Sequence, residues 1–567
     1  MAIYEKYVGA TRDDFISLKD ARNNFRLTYP DNFNFAYDVI DELGRTKPDK
    51  LAMVWVSKDG EEKRFTFADM KRYSDKAANY FHYMGIHKGD RVMLVLKRSY
   101  YFWFCILGLH KIGAIVIQAT NMLKAKDYVY RCNAGRVKAV VATGDGPETE
   151  YFDEGGDAYE TVEKKFVTCH KKVDGWIDFE AGFEMASAEW SRPAGENDTK
   201  VSDTMLMAFS SGTSGYPKII THNFAYPLGH IMTGVFWHRV VDGGLHFTIS
   251  DTGWLKSLWG KLYGQWFGES AVFVYDFEKF HGADILQKIQ DYRVTTFCAP
   301  PTMYRMMLEN DVSKYDLSAL THCCTAGEAL NPEIYNKWLA ATGHKIYEGF
   351  GQTETTLTVA TIYPWSEPVP GAIGFAVPGY DVHILGEDGE SLPRGATGEI
   401  CIRVLSQMRK ACGLLDSYNF SEEDTHAALH DGFYHTGDTA YRDEQGMFRY
   451  VGRNDDVIKS SGYRIGPFEI ESVLLEHDAV KEVAVTGVPD AIRGFVVKAA
   501  IVLADGFTGS DELTKELQTY VKKNTAPYKY PRIIEYVDEL PKTFNGKIKR
   551  RAIRDEDAKK YAESAPK

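Results

Sequence analysis

The sequence predicts an α/β protein with a large N-terminal domain of layered α/β subdomains, a small antiparallel β subdomain and a small α+β C-terminal domain. Three observations support this. Strand-like and helix-length stretches alternate between residues 33 and 200, as they do around parallel sheets. Residues 380–455 form short alternating strands with turn sequences such as GEDGE and RDEQG. A new helix and strand pattern begins near residue 462, which indicates a separate small C-terminal domain.

The first half of the chain supplies its elements in a regular order. The predicted elements are helices 68–84 and 102–112 and strands 91–95, 113–118, 138–142 and 205–209. The polar residues 143–200 are interpreted as surface excursions. The apolar run 100–120 is interrupted by His110 and Lys111, which favours a buried helix and strand over a membrane span.

The second half continues the layered pattern and then changes. The predicted elements are strands 271–275, 294–298 and 322–325 with helix 283–291, antiparallel strands 381–385, 399–404 and 447–451, and C-terminal strands 481–488, 498–504 and 532–537. A C-terminal helix begins at Pro467, and Ser510 is predicted to cap a second one.

Composition excludes several kinds of function. The chain has 567 residues, too many for one core, and a formal net charge of −12, which argues against general binding of nucleic acid or anionic membranes. Its eight cysteines show no CxxC pair and no metal-ligand spacing, so they fit reduced thiols. The first residues lack the apolar region of a signal peptide. We therefore expect a cytoplasmic protein without a nucleic-acid partner or a transmembrane segment.

The central motif is SSGTSGYPK, residues 210–218, after an apolar strand. Its hydroxyls and glycines can donate hydrogen bonds to an anion at close range, and Lys218 adds a positive charge. Only two residues separate Gly212 from Gly215, so this is not a Walker A loop. The motif indicates a nucleotide phosphate loop, and the alternative is a surface Ser/Gly linker.

Three later motifs suit a nucleotide. The first is AGEA, residues 326–329, and the second is YEGFGQTE, residues 347–354, in which Thr353 and Glu354 offer oxygen ligands for Mg²⁺. YHTGD places Asp438 in a glycine turn as a candidate ribose acceptor. The alternatives are a solvated helix start for the Thr–Glu pair and an ordinary turn aspartate.

Two further stretches complete the candidates. The run SDTGWLKSLWG, residues 250–260, is rich in tryptophan and predicts either core or the wall of an apolar pocket. The basic sequence PKTFNGKIKR, residues 541–550, is either a solvated loop or the carrier of a lysine that reaches a partner domain.

Together these stretches resemble the acyl-adenylate-forming (AMP-binding) superfamily, and most closely its medium-chain acyl-CoA synthetases. Seven strings carry the resemblance between about residues 33 and 555: SSGTSGYPK, TAGEAL, YEGFGQTE, YHTGD, GRNDDVIKSSGYRIGPFEIE, TAPYKYPR and PKTFNGKIKR. The resemblance implies that a carboxylate attacks the α-phosphate of ATP to give acyl-AMP and pyrophosphate. Coenzyme A then displaces AMP, after a mobile C-terminal domain has rotated.

The resemblance also implies roles for individual residues. Lys547 would bridge the carboxylate and the α-phosphate, Thr353 would contact phosphate and Glu354 would hold Mg²⁺. Asp455 would be the hinge, which places the domains at 1–454 and 455–567. The nucleotide residues would be Ser210, Ser211, Gly212, Thr213, Ser214, Gly215, Lys218, Gly327, Glu328, Ala329, Glu348, Gly349, Phe350, Gly351, Gln352, Asp438 and Arg453. The coenzyme A residues would be Gly462, Tyr463, Arg464, Arg493, Lys522, Tyr530, Pro531 and Arg532.

The resemblance places the adenine beside residues 327–329 and 348–352, and the acyl group is expected next to them. Relatives that accept only acetate carry a tryptophan where this chain has Gly351, so we expect a pocket for short-to-medium acids of about four to eight carbons, branched ones included. The expected lining is Trp237, Trp254, Lys256, Trp259, Cys298, Ala326 and Gly351. The alternatives are an aryl-CoA ligase, a carrier-protein-loading adenylation enzyme and a silent nucleotide-binding regulator. The sequence leaves the oligomeric state open, and a homodimer is one assembly compatible with it.

Overall fold

The structure is a computed structural model that describes residues 1–169, 172–210, 217–406, 409–460, 463–490, 493–542 and 548–561. Its N-terminal strands are β1 (Leu51–Ser57), β2 (Glu62–Thr66), β3 (Arg91–Val95), β4 (Ile115–Gln118), β5 (Ala139–Thr143), β6 (Lys164–Thr168), β7 (Ile177–Asp178), β8 (Thr204–Phe209), β9 (Ile219–Asn223), β10 (Leu245–Thr248), β11 (Ala271–Asp276), β12 (Thr296–Cys298), β13 (His322–Ala326), β14 (Ile346–Phe350), β15 (Val359–Ala360) and β16 (Phe375–Ala376).

The later strands belong to the antiparallel and C-terminal parts. They are β17 (Val382–Leu385), β18 (Gly398–Arg403), β19 (Leu405–Ser406), β20 (Arg409–Lys410), β21 (Ser417–Tyr418), β22 (Leu429–His430), β23 (Phe433–Arg442), β24 (Phe448–Arg453), β25 (Ile458–Ser460), β26 (Tyr463–Ile465), β27 (Val480–Asp490), β28 (Gly494–Leu503) and β29 (Ile533–Tyr536).

Helices cover the sheets. They are α1 (Glu5–Val8), α2 (Leu18–Asn24), α3 (Glu42–Thr46), α4 (Phe67–Tyr83), α5 (Tyr101–Ile112), α6 (Ala125–Ala134), α7 (Glu148–Asp153), α8 (Phe179–Met185), α9 (Tyr226–Ile231), α10 (Lys256–Gly260), α11 (Tyr263–Phe267), α12 (Gly282–Asp291), α13 (Pro301–Leu308), α14 (Pro332–Thr342), α15 (Glu422–Ala428), α16 (Pro467–Leu475), α17 (Asp511–Asn524) and α18 (Arg550–Lys560).

Two large mixed sheets form the body of the protein. Among the described residues one sheet has nine strands in the order β16-β15-β14-β13-β12-β10-β11-β1-β2, and the other has eight in the order β21-β9-β8-β4-β3-β5-β6-β7. Most neighbours inside these sheets are parallel. Such strands are nearly all apolar because helices cover both faces of a parallel sheet, and β5, AVVAT, is buried throughout.

Two smaller sheets follow in the chain. The antiparallel sheet β17-β18-β23-β22, with β24 beside β23, forms the small β subdomain. The sheet β26-β25-β28-β27, with β29 beside β28, is built from residues after Asp455 and is packed by α16 and α17. The predicted fold class is confirmed. The exact boundary at Asp455 stays a prediction.

Helix α5 shows how the apolar run is buried. Every one of its residues is buried, and it ends at Gly113 in the left-handed conformation with φ 74°. The ammonium of Lys111 lies 2.5 Å from an Asp75 oxygen and 2.6 Å from an Asp41 oxygen. Two carboxylates thus compensate a charge that could not otherwise be buried. Of the helices described, none is long and apolar enough to cross a membrane.

One predicted feature is wrong. Residues 143–200 are not only surface excursions, because β6 pairs in parallel with β5 and continues the eight-stranded sheet. Its Phe166 and Val167 are buried. The strand sequence KKFVT contains only two apolar residues, Phe166 and Val167, and the polar residues around them obscured the strand.

Candidate active site

A cavity of about 820 Å³ opens where four parts of the chain meet. These parts are the end of β8, the carboxyl ends of β13 and β14, the β23–β24 pair and the C-terminal domain around α16 and β27. Carboxyl ends of parallel strands are the usual ligand positions in α/β sheets. The cavity therefore collects most of the loops that the sequence singled out.

The two ends of the 210–218 loop are held together. Ser210 donates its N–H to the carbonyl of Lys218 over 2.9 Å, and its hydroxyl accepts the Lys218 N–H over 3.0 Å. Both residues line the cavity. The Lys218 ammonium lies 2.7 Å from Asp424 of α15, so an incoming anion would compete with this carboxylate. The predicted residues 211–215 lie outside the described residues.

The loop after β13 forms another side of the cavity. Gly327 has φ +99° and lines the cavity with Glu328 and Ala329. Glu328 accepts a hydrogen bond from the Thr302 hydroxyl over 2.7 Å. Since an ordinary side chain rarely adopts this φ, glycine lets the chain turn immediately after the strand.

Glu348 is a buried acid in the wall of the cavity. It stands in β14, and its carboxyl accepts the N–H of Leu330 over 3.0 Å. Burial raises the pKa of Glu348 to about 8, partly opposed by that hydrogen bond. The group is therefore mostly protonated at neutral pH and acts as a neutral hydrogen-bonding side chain.

This raised pKa makes stability depend on pH. A free glutamate ionises near pH 4.3, so between about pH 4.3 and 8 the unfolded chain releases a proton that the folded chain keeps. Glu348 therefore lowers stability as pH rises through that window. We expect Glu348→Gln to remove roughly a few kcal/mol of this loss. Thermal melts of both proteins at about pH 5 and about pH 8.5 measure the difference. An equal fall in melting temperature for both would contradict the assignment.

Thr353 and Glu354 follow β14 and line the cavity. The Thr353 carbonyl lies 2.8 Å from Nε2 of His222, which fixes the backbone. Glu354 accepts the Tyr418 hydroxyl on Oε1 over 2.9 Å. Burial raises the pKa of Glu354, opposed by hydrogen bonds from its own backbone N–H and from Tyr418. A carboxyl group that lines the same cavity as Ser210 and Lys218 fits a hard cation such as Mg²⁺.

The Asp438 carboxylate accepts hydrogen bonds from two side chains of the site. Oδ1 accepts the Tyr450 hydroxyl over 2.8 Å, and Oδ2 accepts the Gln352 amide over 2.5 Å. Arg453 is its cross-strand neighbour, with 3.9 Å between Nη1 and Oδ2. The glycine turn expected from YHTGD is instead a bulge inside β23: Gly437 has φ +71° where the register of β23 against β18 shifts, which presents Asp438. These contacts fix the carboxylate beside the YEGFGQTE loop.

Three tyrosines support these groups and were missed by the sequence. Tyr418 binds Glu354, Tyr434 donates to Oε1 of Gln352 over 2.6 Å, and Tyr450 binds Asp438. All three line the cavity. The alternation of side chains along β24 could have placed Tyr450 on the same face of the sheet as Asp438 of β23. No local signal in the sequence, however, marks the groups to which the three hydroxyls donate.

The acyl candidates fall into two groups, and only the first group lines the cavity. Trp254, Lys256, Trp259, Ala326 and Gly351 line the cavity. The Lys256 ammonium donates to the Ala326 carbonyl over 2.5 Å, and burial lowers its pKa. This places a cation at the junction between the acyl candidates and the adenine loop.

Two of the predicted lining residues, Trp237 and Cys298, do not line the described cavity. The Trp237 ring packs against Gly349 of β14, 2.5 Å from the place where a Cβ of that glycine would stand. Cys298 ends the buried strand β12 and is fully enclosed. Both side chains are buried and do not contribute to the described lining.

Gly351 does not leave the space that its small size suggested. A Cβ at this position would lie 2.4 Å from the Thr356 carbonyl oxygen and 2.4 Å from the Trp259 ring. Because one neighbour is a backbone carbonyl, Gly351→Trp would displace the chain at Thr356 rather than fill an open pocket. The expected gap is therefore occupied by Trp259, which supplies an aromatic wall from another element.

The C-terminal domain closes the cavity on the side of its basic loop. Lys542, Ile548 and Arg550 line it. Arg550 makes two hydrogen bonds to Glu471, of 3.0 and 2.6 Å. The predicted Lys547 lies outside the described residues, between Lys542 and Ile548. Residues on both sides of it therefore face the same cavity.

The hinge candidate and the coenzyme A candidates lie elsewhere. Asp455 is in the turn between β24 and β25, with its carboxylate 3.2 Å from Arg453 and 3.8 Å from Arg554. Lys522 and Arg532 both lie over the Tyr530 ring, at 3.9 and 4.8 Å from its centre.

The coenzyme A candidates come from two segments that meet at Tyr528. Pro531 follows Tyr530, and the Tyr463 ring stacks on the Tyr528 ring with 4.1 Å between their centres. Tyr463 and Arg493 stand at the β25–β28 end of the C-terminal sheet. None of the described coenzyme A candidates lines the cavity. Gly462 lies outside the described residues, and only the backbone of Arg464 is described.

The chain matches two family models. Residues 40–410 match the model of the AMP-binding enzyme, and residues 469–547 match that of the AMP-binding enzyme C-terminal domain. The chain belongs to the AMP-binding enzyme family. It is also 38% identical to the acyl-coenzyme A synthetase ACSM3 of Mus musculus over 561 residues, which covers 97% of this chain and 95% of that protein. The predicted class, an AMP-forming acid–thiol ligase, is thereby confirmed.

Solved structures of AMP-binding enzymes share the fold. The anthranilate CoA ligase AuaEII, in complex with anthranoyl-AMP, superposes with a TM-score of 0.83 at 26% identity and covers 94% of this chain and 99% of that one. An acyl-CoA synthetase from Brucella canis gives 0.73 at 30% identity, with 96% and 99% covered. These likenesses extend through both domains of the AMP-binding enzyme.

One prediction made from the sequence is wrong by this comparison. A cytoplasmic protein was expected from the N-terminal sequence and the cysteines, whereas the similar curated synthetases are named mitochondrial. Neither criterion reports a compartment directly, because reduced thiols and an N-terminus without a signal peptide occur in several.

Proposed function

We propose that this AMP-binding enzyme is an acyl-CoA synthetase that converts a short-to-medium-chain carboxylic acid, ATP and coenzyme A into the acyl-CoA thioester, AMP and pyrophosphate, within fatty-acid metabolism. The observation that carries the proposal is that Lys218, Glu354 and Asp438, from three different elements, line one cavity. Phosphate, metal and ribose candidates thus lie around one space, as a nucleotide requires. ATP and coenzyme A are the co-substrates that the family implies.

The reaction needs positive charge between its two reactants. A carboxylate that approaches the α-phosphate meets a repulsion of about 4 kcal/mol per charge pair at ~4 Å and an effective dielectric near 20. Lys547 would lie between the two anions, since its neighbours Lys542 and Ile548 line the cavity. Mg²⁺ would be held by Glu354 and would supply further charge neutralisation at the phosphates.

The rest of the nucleotide would be held by the residues described above. The 210–218 loop would bind the β- and γ-phosphates, and the loop 327–329 with 348–352 would enclose the adenine. Asp438 keeps its carboxylate fixed through Gln352 and Tyr450, so a ribose hydroxyl would meet an acceptor that is already oriented. Preorganised groups of this kind need no rearrangement as the reaction proceeds.

Coenzyme A would bind after the C-terminal domain rotates about Asp455. In this structure the domain presents Lys542, Ile548 and Arg550 to the cavity, while Lys522, Tyr530 and Arg532 form a separate basic and aromatic cluster. A rotation would exchange one face for the other. The present orientation suits adenylate formation.

The acyl group would extend past Trp254 and Lys256 towards the Trp259 wall. Each buried methylene contributes about 0.8 kcal/mol, so preference should rise several-fold per carbon until the chain meets this wall. We expect acids of about four to eight carbons, branched ones included, to be preferred over long fatty acids.

The alternative is an aryl-CoA ligase, which the likeness to the anthranilate CoA ligase favours. Pyrophosphate release with ATP and a panel of straight, branched and aromatic acids separates the two. The proposal requires release with aliphatic acids and coenzyme A-dependent thioester formation. Release with benzoate or anthranilate but with no aliphatic acid would establish the alternative. If none of the acids caused pyrophosphate release, both proposals would be excluded.

The Trp259 wall gives a direct prediction on chain length. Trp259→Leu should shift the preferred acid to longer chains by two or more carbons, because the smaller side chain opens the space against Gly351. The ratio of kcat/KM for octanoate and butyrate measures the shift. Trp237→Phe is the matched control, because Trp237 does not line the described cavity. An unchanged ratio in a folded Trp259→Leu protein would place the acyl group elsewhere.

A further inference from the structure

A cluster of three metal-binding side chains lies beside the nucleotide cavity. Glu399 and Cys401 stand on one strand, β18, two residues apart, and His435 is the cross-strand partner of Cys401 in β23. Residues two apart on a strand share one face, so the three side chains converge. Their ligand atoms all lie within 4.8 Å of one another.

The distances suit a tetrahedral ion. Nδ1 of His435 lies 3.2 Å from Oε2 of Glu399 and 3.4 Å from Sγ of Cys401. Zinc bonds of about 2.0–2.3 Å at tetrahedral angles place neighbouring ligand atoms roughly 3.3–3.6 Å apart. The three side chains therefore need only small movements to surround one ion.

The hydrogen bonds within the cluster converge on one atom. Nδ1 of His435 faces both the Glu399 carboxylate and the Cys401 sulfur. A protonated Nδ1 can donate to both, whereas an unprotonated Nδ1 can accept only from the thiol. The other ring nitrogen, Nε2, is buried without a described partner. One ion would be bound by the carboxylate, the thiolate and the Nδ1 lone pair together.

We infer that Glu399, Cys401 and His435 form a binding site for a divalent zinc-like ion, distinct from the Mg²⁺ of ATP. A thiolate with an imidazole selects zinc over Mg²⁺, which prefers oxygen ligands. Three protein ligands leave a fourth position for water. That position is reached from the cavity, since Glu399 and His435 line it.

The site would also be linked to the nucleotide. Oε1 of Glu399 accepts the Gly437 N–H over 2.7 Å, and Gly437 precedes the ribose candidate Asp438. The ion takes the other oxygen of the same carboxylate. Binding would therefore hold the bulge of β23 that presents Asp438, and the free and metal-bound proteins should differ in affinity for ATP.

The test uses the full chain without ATP, so that its result does not depend on the proposed reaction. Metal-free protein is dialysed against Zn²⁺, and bound metal is counted by elemental analysis. Co²⁺ then serves as the spectroscopic probe, because a cobalt–thiolate bond gives a charge-transfer band. We expect one ion per chain, the cobalt–thiolate band, and no displacement by excess Mg²⁺.

Variants assign the ion to the cluster. Cys401→Ser should abolish the cobalt–thiolate band. Cys401→Ser and His435→Gln, each as a single substitution, should weaken zinc binding by about 10–100-fold or more. Cys169→Ser is the matched control, since Cys169 is an exposed cysteine outside the cluster. Circular dichroism establishes that each variant is folded, and His435→Gln decides the question if Cys401→Ser is not. Wild-type zinc affinity in a folded cluster variant, or no zinc binding by the wild type, would overturn the inference.

Discussion

Replacing Lys547 with alanine should lower adenylate formation by roughly a thousandfold or more, while thioester formation from supplied acyl-AMP largely survives. The reason is that the lysine is needed only where carboxylate and α-phosphate meet. Lys542 and Ile548, which lie on either side of Lys547 in the chain, line the cavity in this structure. After rotation of the C-terminal domain they would no longer do so.

The two half-reactions can be measured separately. Pyrophosphate release follows adenylation, and acyl-CoA formation from synthetic acyl-AMP follows thioester formation. Lys549→Ala is the control, because this exposed lysine carries a charge close by in the chain. An equal loss in both half-reactions of a folded Lys547→Ala protein would contradict the bridging role.

Replacing Asp455 with proline should leave adenylate formation close to the wild-type rate and reduce thioester formation strongly. Asp455 lies in the exposed turn between β24 and β25, where the chain leaves the cavity wall for the C-terminal sheet. Proline fixes φ near −65° and restricts the preceding residue, so it should oppose rotation rather than nucleotide binding.

A second variant separates backbone restriction from loss of charge. Asp455→Ala removes the ion pairs with Arg453 and Arg554 but leaves the backbone free. It should keep both half-reactions within a few-fold of wild type, since partly exposed ion pairs contribute little. If alanine and proline reduce thioester formation equally, the carboxylate and not the hinge is responsible.

Much of the fold could be predicted because its signals are local. Apolar runs such as β3 and amphipathic helices such as α4 were placed within one or two residues, since burial on a sheet or helix face requires that periodicity. The strand β6 was missed because its two buried apolar residues, Phe166 and Val167, stand among polar neighbours. Its pairing with β5 is a tertiary property that no short window contains.

The site was predictable only in part. Loops that carry a characteristic string, such as the one ending in Glu354, could be placed at strand ends. Contacts between distant elements could not. The phenol of Tyr418 on Glu354, the Trp259 ring against Gly351 and the convergence of Cys401 with His435 each depend on strand register. The cysteine spacing along the chain gave no sign of this last pair.

The strand order of the two large sheets has a consequence for synthesis. The nine-stranded sheet takes β1 and β2 from the start of the chain and β10–β16 from much later, while β21, at residues 417–418, completes the eight-stranded sheet. The nine-stranded sheet cannot be completed before Ala376 has been made, nor the eight-stranded sheet before Tyr418 has been made. Long nascent chains with unpaired strands are prone to aggregation and depend on chaperones. The C-terminal sheet has only local pairings, so it can form as soon as it emerges.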